Sequence, residues 1–361
     1  MTARAVARLG GRRWLIHLLR ILIVVAVALV VIWRVDWSSA RLFVHPSSWG
    51  FLLLAVIANF VSVGFKGVVW KGIIDGLPGL RHRTRYRDIM PPLFIGFLFN
   101  TMLAARLGEL VKVALARRRL VARGEDISAT ALLGTIVAEN LIGTVMWVLL
   151  VIGIGMFLPL PLYAWIASLA IGGAAALIIG YAMLTATGHQ PPPWLTHGSL
   201  LAKAWRAASR LWGAVRESHL VLRSPSRFAT VGGASLLTWF AQWTGIYCTL
   251  EAFGLGYVGW GGAGLLLVTI TLAQAFPLLP GNLVIFQAAA VVPLTATYGV
   301  PASQAIAFSV VLQFTEIIVG VVTGFIFLLF EGVSFGQLRR EAEAEAVELE
   351  SDGHEAVTAT D

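Results

Sequence analysis

Between Ser303 and Phe330 the chain runs through almost eight helical turns of sequence with a single charged side chain, Glu316. A bilayer core about 30 Å thick is crossed by roughly 20 apolar residues in a helix, so a stretch of this kind is read as a transmembrane span. Trp14–Trp33, Phe51–Phe65, Ile127–Leu158, Leu160–Leu184 and Phe228–Phe253 have the same character. Hydrophobic residues make up 58% of the chain and charged residues 13%, too few to cover a water-soluble surface. The expected fold class is an all-α polytopic membrane protein with about six full transmembrane helices.

The charges that do occur report orientation. Basic residues cluster in an arm at 1–13, in Arg81–Arg87, in Arg117–Arg123, along Lys203–Arg227 and at Arg339–Arg340, whereas Pro159–Pro161, Gly254–Gly262 and Tyr298–Pro301 hold no Lys or Arg. The positive-inside rule assigns the basic blocks, and with them both termini, to the cytoplasmic side of a cell membrane. The same pattern removes the case for nucleic acid as a partner. The first apolar stretch follows the basic arm but lacks a small-x-small cleavage site and is expected to stay as an uncleaved span. Residues 14–332 form the expected membrane domain. Residues 333–361 form an acidic cytoplasmic tail without apolar periodicity, expected to be disordered.

This assignment constrains Ile89–Ala105, which has basic blocks on both sides and must begin and end in the cytoplasm. With Pro91 and Pro92 near its start and Asn100 inside, it is expected to be a re-entrant hairpin. Ala263–Val300, interrupted by Pro277, Pro280 and Gly281 between uncharged external loops, is expected to be a second hairpin entering from outside. NTMLAARLGELVK and LLPGNLVIFQA then occupy matching places. Glu109 stands against Gln287, and Glu139 and Glu316 follow at nearly equal separations, each with glycine four residues on (Gly143, Gly320). Two repeat halves, about 89–157 and 263–331, are therefore expected in inverted topology, an arrangement that puts transporter sites near the midplane. Between them, about 199–223, Leu201, Trp205, Ala208, Trp212 and Val215 oppose Lys203, Arg206, Arg210 and Arg216, the pattern of a cytoplasmic amphipathic helix at the membrane surface.

A charge in hydrocarbon needs a partner, a wet cavity or neutralisation. Glu139 and Glu316 both fall near mid-span, on helix faces shared with Thr135 and Gly143, and with Gln313, Gly320 and Gly324; each carboxylate either lines a cavity or acts as a hydrogen-bonding brace. Arg106, Glu109 and Lys112 follow one another at helical spacing, and an Arg106–Glu109 pair either fixes the hairpin or receives an anionic headgroup. Lys66 either snorkels to the interface or lines the cavity. Pro280, Gly281 and Asn282 free backbone groups that are tolerable at depth only against protein or water. Trp14, Trp33, Trp49, Trp70 and Trp260 are taken as interface anchors. The candidate substrate-binding set is thus Lys66, Asn100, Arg106, Glu109, Lys112, Glu139, Pro280, Gly281, Asn282, Gln287, Gln313 and Glu316. Walker, HExxH, GxSxG and CxxC motifs are missing, and the single Cys248 allows no internal disulfide, so catalytic, metal and cofactor sites are not expected.

At NTMLAARLGELVKVALARRR, the Glu139 span and PLLPGNLVIFQAAAVVPL, the chain resembles the lysylphosphatidylglycerol synthetase transmembrane, or flippase-like, family, over roughly Trp14 to Phe330. The resemblance rests most on Asn100, Arg106, Gly108 and Glu109 and on the Pro-Gly-x-Leu string at Pro280. It implies movement of anionic, aminoacylated or isoprenoid-linked lipids between leaflets, with membrane lipids as partners and no synthetase activity. Gly281–Asn282 and Gln287 depart from the family's Gly-Gly and later acid. The expected function is a lipid flippase or translocation protein, not an enzyme. The alternatives are an accessory or scaffold protein for a lipid- or glycan-modifying enzyme, or, on the strength of Asp36, a polyprenyl-dependent glycosyltransferase.

Overall fold

A computed structural model describes residues 48–102, 107–157, 160–184, 224–274 and 283–331. These residues form helices and connecting turns, with no strand among them. In chain order the helices are α1 (Trp49–Ile74), α2 (Tyr86–Met102), α3 (Leu107–Val121), α4 (Ala129–Phe157), α5 (Leu162–Leu184), α6 (Pro225–Ala252), α7 (Gly259–Gln274), α8 (Leu283–Tyr298) and α9 (Ala302–Glu331). The expected first span, the amphipathic helix at 199–223, the acidic tail, Arg106 and Pro280–Asn282 lie outside the described residues.

The order of lengths repeats. Helices of 26, 17, 15 and 29 residues (α1 to α4) are followed, after α5, by helices of 28, 16, 16 and 30 residues (α6 to α9). Each set is a long helix, two short helices and a long helix. The pattern thus begins one helix earlier in each half than the expected 89–157 and 263–331, because α1 and α6 carry no hairpin landmark to mark them as equivalent.

Both pairs of short helices are antiparallel hairpins. In the first, Asn100 meets Gly108 near the turn, while Arg119 donates to the Arg87 carbonyl and Arg123 pairs with Asp88 at the open end. In the second, the hydroxyl of Thr269 donates to the Ala289 carbonyl at 2.8 Å. These two backbone acceptors share an origin. Proline has no N–H, so Pro91 releases the carbonyl four residues earlier at Arg87, and Pro293 does the same at Ala289. In each hairpin the opposite leg supplies the missing donor.

Ile89–Ala105, expected to be a whole hairpin, is not one. Tyr86–Met102 is a single continuous helix, because Pro91 and Pro92 fall in its first turns and do not break it. The returning leg is α3, which takes the helix pair on to Val121. This leg looks like a polar surface helix in sequence, but Val111, Lys112, Val113, Leu115 and Leu120 are buried in it. Of its charges, Lys112 is neutralised inside the protein by Glu139, while Arg118 remains exposed.

Close approach at glycine fixes how the hairpins sit. A methyl on Gly108 would overlap the Gly96 carbonyl, which brings α2 and α3 together, and one on Gly324 would overlap the Phe94 carbonyl where α9 crosses α2. Small residues are the usual means of packing helices in lipid. Helices α1 and α6 run antiparallel, with Gly72 against Val231 near one end and Gly245 against Ala55 and Asn59 near the other. The first hairpin therefore opens at the end that holds Ile74, Pro225 and Glu331, and the second at the end that holds Phe253 and Ala302.

Four helices, Trp49–Ile74, Ala129–Met156, Gly256–Gln274 and Ala302–Glu331, are long and apolar enough to cross a membrane. Leu53, Leu54 and Ile57 of α1, Leu177 of α5 and Phe330 of α9 point outward as an apolar exterior. The chain is a multi-pass membrane protein.

Polar clamps close the basic end. Asp75 accepts from the Thr84 N–H at 2.7 Å and from the Lys71 ammonium at 2.5 Å. Glu125 accepts the N–H groups of Arg81 and His82 at 2.8 and 3.0 Å and faces the His82 ring. The Arg81 N–H, ahead of the His82 contacts, holds the Glu125 carboxyl below the usual carboxylate range, against the opposing effect of burial.

Candidate functional site

A cavity of about 670 Å³ lies between the two hairpins and is walled by every described helix of the two repeating sets, with Ile171 of α5 at its margin. Its polar side chains come in stripes. Asn59, Ser62 and Lys66 stand on one face of α1, Ser235, Thr238 and Gln242 on one face of α6, and Gln313, Glu316 and Gly320 on one face of α9. Each stripe interrupts an otherwise apolar helix, so the polar groups meet each other across the cavity and leave the apolar faces outward.

The charged centre is Glu139 on α4. Its Oε2 lies 2.8 Å from the Lys112 ammonium, and both side chains are only 4% exposed. Lys112 also lies 3.8 Å from Glu109 and 4.2 Å from the centre of the Trp70 ring. Trp70 is fully buried and donates its indole N–H to Thr135 at 3.0 Å. It is a platform for a buried cation, which corrects the expectation of an interface anchor; Trp49 and Trp260 are exposed. Thr135 is turned to this platform and away from the cavity that Glu139 and Gly143 line.

Lys66 approaches the other oxygen of Glu139, Oε1, at 3.7 Å and lies 5.5 Å from the Phe97 ring centre. Its side chain is 34% exposed, so of its two expected positions it takes the cavity wall. At the turn of the first hairpin Asn100 binds both ways: its amide donates to Glu109 at 3.2 Å and its carbonyl accepts the Gly108 N–H at 2.9 Å. That N–H belongs to the first turn of α3, where backbone donors are otherwise unsatisfied.

In the second half amides stand where the first half has charges. Gln287 donates to Gln313 at 2.6 Å, and Gln274 hydrogen-bonds the Glu316 carboxyl. Glu139 and Glu316 line the same cavity. Of the candidate residues, Lys66, Asn100, Glu109, Glu139, Gln313 and Glu316 meet there, with Lys112 behind Glu139 and Gln287 behind Gln313.

A model of the lysylphosphatidylglycerol synthase TM region matches residues 17–340. The chain belongs to that family. All of the cavity residues fall inside the lysylphosphatidylglycerol synthase TM region match. No curated protein and no solved structure matches the chain.

Sequence reasoning missed Asn59, Ser62, Thr238, Gln242 and Gln274. The signal for the α1 and α6 residues was available as polar residues recurring at helical spacing within apolar runs. For Trp70 no local signal exists, because a tryptophan near a helix end reads the same whether it faces headgroups or a buried lysine.

Proposed function

We propose that this protein moves an anionic lipid, aminoacylated or isoprenoid-linked lipids included, between leaflets of the cell membrane, with no nucleotide hydrolysis and no chemical step of its own. The observation that carries the reading is the cavity itself: about 670 Å³ of polar-lined space, with a buried Glu139–Lys112 pair and the half-buried Lys66 beside it, in a helical body whose exterior is apolar. Buried charges of this kind in a membrane protein mark substrate or ion pathways.

The hairpins support it further. The legs α2, α3 and α8, of 15 to 17 residues, rise about 23–26 Å at 1.5 Å per residue, short of a hydrocarbon core of about 30 Å. The remaining leg, α7, is lengthened by the turn before it to Gly256–Gln274 and returns through the short α8. We take them as re-entrant elements of an inverted repeat, which with α1, α4, α5, α6, α9 and the first apolar stretch gives six full spans. Such an arrangement suits a site reached from either side. The basic blocks at Arg81–Arg87 and Arg117–Arg123 sit at the open end of the first hairpin, which makes that end cytoplasmic.

Purified full-length protein in liposomes, with fluorescent phosphatidylglycerol, aminoacyl-phosphatidylglycerol or isoprenoid phosphate in trace amount, tests this by quencher access from outside. Faster exchange between leaflets than in protein-free vesicles is expected for at least one lipid. Equal rates for all three would remove translocation and leave an accessory role.

A further inference from the structure

The pair formed by Lys66 and Glu139 is not closed. Their 3.7 Å separation exceeds the roughly 2.7–3.2 Å of an N–H···O hydrogen bond. Glu139 Oε2 is satisfied by Lys112 at 2.8 Å, but Oε1, buried on the Lys66 side of a carboxylate that lines the cavity, has no hydrogen-bond donor among the described residues. A buried carboxylate oxygen left without a donor is costly, and Lys66 has its one anion among the described residues beyond hydrogen-bond range. Lys66 and Oε1 therefore form a split site, one cation and one acceptor side by side on the cavity wall.

The chemistry of that site restricts its occupant. An anion that approaches Lys66 comes within close range of Glu139 and is repelled, unless the same molecule brings a donor to Oε1. A cation alone meets the converse problem at Lys66. We infer that the cavity takes a phosphodiester headgroup that carries its own hydroxyl or amino group a few bonds away: the phosphate on Lys66, the donor on Glu139 Oε1. Lys112 stays out of this exchange as the permanent counter-ion of Glu139. The inference rests on the lipid-translocation reading and names the feature of the lipid that the site recognises.

Phosphatidylglycerol and phosphatidylmethanol make the test, because both are phosphodiesters of one negative charge and only the first has a hydroxyl to donate. Binding of short-chain forms of each to full-length protein in detergent is measured by thermal shift or microscale thermophoresis. Protein without substitution is expected to hold phosphatidylglycerol about tenfold more tightly, the scale of one hydrogen bond to a charged group. Lys66→Gln is expected to weaken both lipids about tenfold and leave their ratio unchanged. It should fold, since Glu139 keeps Lys112. Inorganic phosphate at matching concentration is expected not to displace either lipid.

Equal binding of the two lipids overturns the donor site on Glu139. Unchanged binding of both by folded Lys66→Gln overturns the phosphate site on Lys66. Displacement by inorganic phosphate overturns the assignment to a lipid headgroup. Each readout is an equilibrium affinity, so the liposome exchange assay judges the translocation reading separately.

Discussion

Replacing Lys112 by Met should be among the most damaging single changes in the membrane region, and much of the damage should be reversible by a second change. The ammonium lies 2.8 Å from Glu139 Oε2, with both side chains 4% exposed. At an effective dielectric of about 20, two unit charges at that distance attract by roughly 6 kcal/mol before desolvation is subtracted. Removing one partner of a buried pair costs about 3–5 kcal/mol, since the other charge stays buried and uncompensated. Lys66, at 3.7 Å and 34% exposed, compensates Glu139 poorly. Lys66→Met alone should therefore cost about 1 kcal/mol or less. Lys112→Met with Glu139→Gln removes both charges and should recover about 2 kcal/mol or more of the single-variant loss. The assay is equilibrium unfolding, in mixed micelles, of the parent, Lys112→Met, Glu139→Gln, their double variant and Lys66→Met, with folded yield by size-exclusion chromatography. If Lys112→Met costs no more than Lys66→Met, or if the two single losses add in the double variant, the pair is not a buried, coupled one and the argument fails.

Thr269→Val should cost about 1–3 kcal/mol, as it strips the carbonyl that Pro293 releases at Ala289 of its replacement donor while nearly conserving volume; the same unfolding assay reads it, and an unchanged midpoint would refute the role. Glu125 has a lowered carboxyl pKa when folded, so its contribution to clamping Arg81 and His82 is complete above the unfolded value of about 4.3 and is lost as pH falls through the folded one. Protection of the Arg81 and His82 amides against hydrogen exchange, taken relative to the intrinsic rate at each pH, should fall over that acid range and, in Glu125→Gln, be lower already at neutral pH; pH-independent protection would contradict it. Cysteines introduced at Arg83 and Arg118 in a Cys248→Ser background should both be shielded from an impermeant thiol reagent in intact cells, and one at Gly259 should react. Opposite reactivity of Arg83 and Arg118 would make the first hairpin an ordinary crossing.

The apolar helices and the carboxylates at Glu139 and Glu316 were legible because each rests on a local contrast, a charge in an apolar run; the first helix pair was legible only in part, since Ile89–Ala105 supplies one leg of it and not the whole. The burial of α3 was not legible. LGELVKVALARRR has the composition of a surface helix, and only the positions of Trp70 and Glu139, on two other helices, make a buried Lys112 tolerable. The carbonyl caps from Arg119 and Thr269 were hidden for a similar reason. A proline announces that an acceptor has been freed but not which residue across the hairpin will supply the donor. The stripe of Asn59, Ser62 and Lys66 could have been read, since its spacing is entirely local; attention to charge alone passed over its amide and hydroxyl.

The ion pair that joins Arg119 to Glu331 links residues 212 positions apart. A ribosome that adds about 5–20 residues per second needs roughly 10–40 s to make the chain between them. Throughout that interval the side of α2 destined for Gly320 and Gly324 has no α9 to cover it, and Phe94 and Leu98 rest against lipid or against whatever insertion machinery is present. The first hairpin is thus made early in biosynthesis and finished late.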